Sequence, residues 1–173
     1  LCTANLPDPA IDPAQNEEPA DHFNTVLYTG NGSSRSITGV GFSPDWIWFK
    51  ARSGAIAHLL YDSVRGATKY LQSNSTSAEG TESNSQTSFD SDGFSLGSDS
   101  TTGVNQNSTT YVAWNWLAGG SASSNSDGGI TSSVSANTEA GFSIVSYTGT
   151  GSITTVGHGL NSAPEMIIIK NRN

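Results

Sequence analysis

An all-β protein, an antiparallel β-sandwich of jelly-roll type followed by the start of a second similar domain, is the fold class this sequence predicts, on three observations. Charged residues make up only 13% of the chain, against roughly 25% in average globular chains, and Ser, Thr, Asn and Gly fill the difference. Short apolar runs rich in β-branched and aromatic residues alternate with turn and loop signals, and no window shows helical periodicity or a helical crossover. The stretch Phe23 to Arg52 returns, altered but legible, from Phe142 to Arg172.

The repeat sets the domain plan. Phe23-Asn24-Thr25-Val26-Leu27-Tyr28-Thr29-Gly30-Asn31-Gly32 matches Phe142-Ser143-Ile144-Val145-Ser146-Tyr147-Thr148-Gly149-Thr150-Gly151 without a gap. Further on, Pro44-Asp45-Trp46-Ile47-Trp48-Phe49-Lys50 lies over Pro164-Glu165-Met166-Ile167-Ile168-Ile169-Lys170, and Arg52 over Arg172. A separation of about 120 residues exceeds the roughly 20 to 50 residues of solenoid and propeller units, so it reads as tandem domains. The plan is then residues 1–21 as the end of an upstream domain with an acidic, Pro-rich linker, 22–120 as the first repeat, 121–129 as a Gly/Ser linker, and 130–173 as a truncated second repeat.

Each element has its own warrant. Leu6 to Asp21 holds Pro7, Pro9, Pro13 and Pro19 with five acids and no Lys or Arg, which gives either an extended linker or a disordered tail. Phe23 to Tyr28 is a strand, and Gly30-Asn31-Gly32 its turn. Asp45 to Lys50 is apolar on both faces, the pattern of a strand buried on both sides, with the Lys50 amine reaching solvent. Met166 to Lys170 repeats that pattern. Ile56 to Asp62 is a third strand, and Gln72 to Ser88 an exposed polar loop. Phe89, Phe94 and Leu96 flank Asp90-Ser91-Asp92-Gly93, which predicts a hairpin with an Asp-Gly turn. A second polar loop, Ser98 to Ser108, leads to a core strand over Tyr111–Leu117, with Val112, Trp114 and Trp116 on one face. Ile130 to Val134 opens the second unit.

Composition excludes several functions. Net charge is −8 with only seven Lys and Arg, and these are scattered, so no basic stripe meets nucleic acid. Cys2 is the only cysteine, which leaves no internal disulfide and no Cys-rich zinc site. No apolar run approaches the ~20 residues of a membrane-spanning helix, and the opening residues lack the pattern of a signal peptide. Glycoside hydrolysis needs two facing carboxylates, but Glu79 and Glu82 fall in a polar loop and Asp90 and Asp92 in a tight turn. The chain is accordingly expected to be non-catalytic and to carry no cofactor.

Candidate binding residues are few, and each has two readings. Tyr61, Asp62, Arg65 and Lys69 could hydrogen-bond sugar hydroxyls while the aromatics stack on ring faces, or could form a salt bridge tying a loop to the sandwich. Asp90, Asp92 and Asp99 are weak calcium candidates, since calcium wants six to eight oxygens, but the Asp-x-Asp-x-Asp-Gly loop is incomplete and a plain turn fits the motif better. His58 is either a ligand or base or a structural residue. His158 stands over Val40 of the first copy, so a function common to both copies cannot depend on it. Trp46, Trp48, Trp114 and Trp116 form a sugar platform or a core, and their strand alternation favours the core.

Taken together, Tyr28-Thr29-Gly30-Asn31-Gly32, Pro44 to Lys50, Asp62-Ser63-Val64-Arg65-Gly66-Ala67, Ser88 to Phe94 and Tyr111 to Trp116 resemble a tandem repeat domain of bacteriophage tail-fibre and other virion structural proteins. Leu1 to Pro7 resembles the tail end of a SPRY-like or concanavalin-like domain. The resemblance implies a lectin-like β-sandwich on a virion, outside the cell, that self-associates as a homo-oligomer, by analogy a trimer, beside other virion proteins. Host attachment through weak binding of cell-surface glycans is the function it implies, with a purely architectural subunit as the alternative. No binding residue is established in that family, so none is carried over. Met166 and Ile168 replace Trp46 and Trp48 in the second copy, which speaks for packing at those positions.

Overall fold

The structure, a computed structural model, describes residues 18–99 and 101–173. Of the upstream-domain end and linker expected over residues 1–21, residues 1–17 lie outside the described residues. Among the described residues the fold is all-β, with twelve strands and one 3-10 turn at Pro19–Asp21. The strands are β1 (Phe23–Thr29), β2 (Arg35–Thr38), β3 (Trp46–Ala51), β4 (Leu59–Asp62), β5 (Lys69–Gln72), β6 (Gly80–Thr81), β7 (Gln86–Asp90), β8 (Gly93–Leu96), β9 (Thr110–Trp116), β10 (Ser123–Asn125), β11 (Ser132–Asn137) and β12 (Phe142–Ser146).

Two antiparallel sheets make the first unit. One has six strands in the order β1-β9-β3-β4-β5-β6, the other three in the order β2-β8-β7. Alternation decides which side chains lie between them. Ile47, Phe49 and Ala51 of β3, Tyr111 and Ala113 of β9, and Tyr28 of β1 meet Ile37, Phe94 and Leu96 of the small sheet in one buried cluster. The Phe49 and Phe94 rings cross edge to face, with centroids 5.1 Å apart, a favoured arrangement for buried aromatics. β9 lies between β1 and β3 and pairs with every residue of both.

The expected hairpin forms. Asp90 pairs with Gly93 across a two-residue loop, Ser91-Asp92. Gly93 has φ +145°, and a Cβ there would stand 2.1 Å from the Ile37 carbonyl oxygen, so β8 can approach β2 this closely only through glycine. Asp92 accepts from the Gly39 and Gly41 amides and locks the β2–β3 turn against the hairpin.

The polar loops depart from expectation. Gln72 to Ser88 is largely exposed as far as Asn84, but it contains β6 and the start of β7, and Ser85 and Gln86 are fully buried. The Ser85 hydroxyl bridges the Tyr61 and Thr102 hydroxyls. In the 98–108 loop, Asp99, Thr102, Val104 and Asn105 are buried. The Asp99 carboxylate accepts from the amides of Thr101, Thr102 and Val104 and from the Thr102 hydroxyl. Asn105 donates to the Ser33 and Gly97 carbonyls and accepts from the Asn31 amide. These side chains satisfy backbone groups where no sheet ladder does, and that is how hydrophilic sequence enters a core.

Three further expectations are corrected. Lys50 is half-buried and its amine is engaged by backbone rather than simply extended into solvent. Its amine donates to the Ala51 and Ile56 carbonyls and holds the intervening loop. The 121–129 linker contains β10, which joins β11 and β12 in a separate three-stranded sheet. Met166 to Lys170 is not a strand, and Met166, Ile167, Ile168 and Ile169 are 75%, 69%, 52% and 73% exposed. β3 is a strand because β9 and β4 pair with its two edges, and among the described residues no strand pairs with 166–170.

The three-stranded sheet of β10 to β12 and the residues that follow it lie against the six-stranded sheet. The Phe142 ring stacks on Trp46 at 5.8 Å, and Ser135 donates to the Gly120 carbonyl. Arg172 clasps both carboxylate oxygens of Glu79 at 2.8 and 2.9 Å.

Candidate functional site

In β3 and β9, the aromatic residues that point away from the core are Trp46, Trp48, Trp114 and Trp116. Cross-strand register fixes their neighbours: Trp46 stands opposite Trp116, Trp48 opposite Trp114, and Phe23 of β1 opposite Trp116. Directly opposed side chains on one face of a sheet touch, and the ring centroids show it. They are 4.5 Å apart for Trp46 and Trp116, 4.8 Å for Phe23 and Trp116, and 6.1 Å for Trp48 and Trp114. The four tryptophans are half-buried and Phe23 is exposed. The core reading favoured by their alternation is thereby corrected. Alternation put them on one shared face correctly, but that face is the outer one.

Phe23, Trp48, His58, Trp114 and Trp116 line a shallow groove of about 360 Å³ on this face. Its walls are almost wholly aromatic. His58 supplies a polar tip, because its Nδ1 accepts from the Trp48 indole N–H at 2.9 Å. An indole nitrogen only donates, so His58 Nδ1 carries no proton and the neutral ring holds its proton on Nε2. Burial, and secondarily the Lys50 ammonium, lower the His58 pKa below the usual imidazole value. Because the unfolded chain takes up the proton first, the neutral, bonded state is complete above about pH 6.5 and is lost as pH falls through the depressed folded-state pKa. Tryptophan fluorescence of the native chain should change with a midpoint below that of a free imidazole, and the change should vanish in His58→Gln. A native chain whose fluorescence is flat from pH 7 to 4.5 would contradict this coupling.

The other sequence-derived candidates lie elsewhere. Tyr61 is fully buried, and burial pushes its hydroxyl pKa up. Asp62 and Arg65 are buried together as an ion pair. The Arg65 guanidinium also donates to the Leu60 carbonyl, the Lys69 carbonyl and Glu79. Here the charged groups of Asp62 and Arg65 are spent within the fold and present no sugar-facing surface, while Lys69 is half-buried beside them on β5. Asp90, Asp92 and Asp99 sit in three separate hydrogen-bonded settings. Asp90 accepts from the Ser88 and Ser95 hydroxyls, Asp92 from turn amides and Asp99 from its own loop. Among the described residues no group of three or more His, Cys, Asp or Glu is placed to hold a metal ion. Glu79 joins Arg65 to Arg172, and Arg172 first of all holds its carboxyl below the usual range. His158 accepts from the Leu160 amide in the second unit.

Sequence reasoning placed His58 beside Leu59 and Leu60 but did not connect it to Trp48. The available signal was that β3 and β9 are apolar on both faces, while the opposing small sheet covers only one of them.

No curated protein and no solved structure matches the chain. A family model described as a domain of unknown function (DUF7483) matches residues 18–173, a span that includes both units, the aromatic groove and the Arg65 ion pair. The chain belongs to the DUF7483 family.

Proposed function

We propose that this chain is a non-catalytic β-sandwich module of a virion fibre, which attaches to host cells by holding surface glycans weakly in the aromatic groove. The observation that carries the reading is the row Phe23, Trp48, His58, Trp114 and Trp116 on the outer face of a six-stranded sheet. Pyranose rings present apolar C–H faces that stack on aromatic rings, and their hydroxyls need a polar neighbour, which the His58 ring supplies. The rings belong to paired strands, so little side-chain freedom is lost on binding. One such groove binds weakly, and several copies on an oligomeric fibre raise the avidity without new contacts.

One observation favours a second, architectural reading with protein partners only: Phe142 already covers Trp46 and lies 6.2 Å from Trp116. On that reading the aromatic row is where successive units meet. A glycan array probed with the native assembly separates the two. Trp114→Ala removes one open wall of the groove and leaves the core cluster intact, and retention on the best glycan should fall roughly tenfold, the equivalent of about 1.4 kcal/mol. Arg65→Lys should not change it. Binding that survives Trp114→Ala and Trp48→Ala, or no glycan retained at all, would favour the architectural reading.

A further inference from the structure

The side chains that line the aromatic groove can give hydrogen bonds to a ligand but cannot take them. Phe23 has no polar side-chain atom, and Trp48, Trp114 and Trp116 carry indole N–H groups, which only donate. His58 has one acceptor, Nδ1, and the Trp48 indole N–H already occupies it. With its proton on Nε2, the His58 ring is a donor toward anything in the groove. Among the described residues no hydrogen bond uses the His58 Nε2 or the Trp114 and Trp116 indole N–H groups.

Charge is absent from the same walls. No Lys, Arg, Asp or Glu lines the groove. The Lys50 ammonium is turned onto the Ala51 and Ile56 carbonyls, and the Asp62 carboxylate on neighbouring β4 is held by Arg65. The net charge of −8 disfavours an anionic ligand. Between these walls a hydroxyl turned inward leaves its own proton without a partner, which is costly. A carbonyl oxygen accepts and has no proton to place.

We propose that the groove selects N-acetylhexosamine units, over the same sugars with a hydroxyl in place of the acetamido group, and that His58 sets this preference. The acetamido carbonyl accepts from the His58 Nε2–H, and the acetamido methyl packs on the aromatic walls. The sugar hydroxyls and the amide N–H face solvent, as a shallow groove permits. Plain hexoses offer only hydroxyls to the donors, and uronic or sialic acids bring a carboxylate that no cation in the groove meets. The inference rests on the glycan reading and narrows it to one class of sugar.

The test is calorimetric titration of the full chain with chitotriose and cellotriose, which share one β-linked glucopyranose backbone and differ only in the group on C2, acetamido or hydroxyl. Chitotriose should bind roughly tenfold more tightly. His58→Phe keeps a ring and loses the donor, and the ratio of the two affinities should fall toward one. His58→Gln should keep most of the ratio, because its amide nitrogen donates to the ligand while its oxygen accepts from Trp48. A damaged fold weakens both sugars alike and leaves the ratio unmoved. Equal affinities in the wild type, or a chitotriose preference that His58→Phe leaves intact, would overturn the inference while the glycan reading stands. So would an array on which the native assembly retains only glycans without an acetamido group. An array with no glycan retained would overturn both.

Discussion

Arg65→Ala is expected to lower the stability of the chain by about 3–5 kcal/mol, the usual result of removing one partner of a buried ion pair. The Asp62 side chain is 9% exposed and takes the Arg65 Nε and the Arg65 amide on its two oxygens. Without the guanidinium it stays buried with a single backbone donor. The Leu60 carbonyl, on a strand in mid-sheet, loses its side-chain donor as well. Arg65→Lys recovers only part of the loss, since a single ammonium cannot reproduce a planar fork that reaches Asp62, Glu79 and two carbonyls together. The measurement is the urea midpoint of wild type, Arg65→Ala, and the double variant Asp62→Ala/Arg65→Ala, in which the buried charge is gone. The double variant should be more stable than Arg65→Ala alone. An unchanged midpoint with glycan binding abolished would restore the ligand role read from the sequence.

Asp99→Ala is expected to cost a further class of contact, about 3–4 kcal/mol, because three backbone amides and a hydroxyl lose their acceptor at once. The damage spreads along the loop. Val104, whose amide Asp99 accepts, offers its carbonyl to the Tyr28 hydroxyl at 2.7 Å, and Tyr28 stacks on Tyr111 at 5.0 Å. Asp99→Asn keeps one acceptor oxygen and should lose roughly half as much. Thermal unfolding of the three chains, with and without EDTA, gives the answer. The order wild type, Asn, Ala with no effect of EDTA fits a carboxylate satisfied by its own loop. A midpoint that falls with EDTA in wild type and not in Asp99→Ala would make Asp99 a cation ligand instead.

These two residues also show where the sequence was legible and where it was not. Strands with an apolar run and a punctuating turn were readable: β1, β3, the end of the third predicted strand at β4, the β7–β8 hairpin and β9. Asp99 and Asn105 were not, because a Ser/Thr/Asn/Asp stretch looks the same whether its side chains meet water or satisfy buried backbone. The tryptophans illustrate a different limit. Period-two alternation assigns residues to two faces but does not say which face the second sheet covers, and a strand apolar on both sides gives no preference. Residues 166–170 failed for a third reason. Their pattern is that of a strand, but pairing is a property of two segments, and the pattern of one cannot supply the other.

The bond between the Leu117 amide and the His22 carbonyl, 2.8 Å long, closes the first unit at the point where the chain enters and leaves it. β1 begins at Phe23, opposite the last residue of β9, Trp116. Tension transmitted along the backbone through this unit therefore bears first on the Asp45 carboxylate, which accepts from the Ala118 and Gly120 amides, then on the Leu117–His22 bond and on each rung of the β1–β9 ladder in turn, since antiparallel bonds run across the strands. Peeling of this kind loads bonds singly, where sliding two strands past each other would load them together. Under longitudinal load the unit acts as a pendant at the side of the line of force, and the load-bearing path is the short bridge between residues 22 and 117 with the Asp45 clasp beside it.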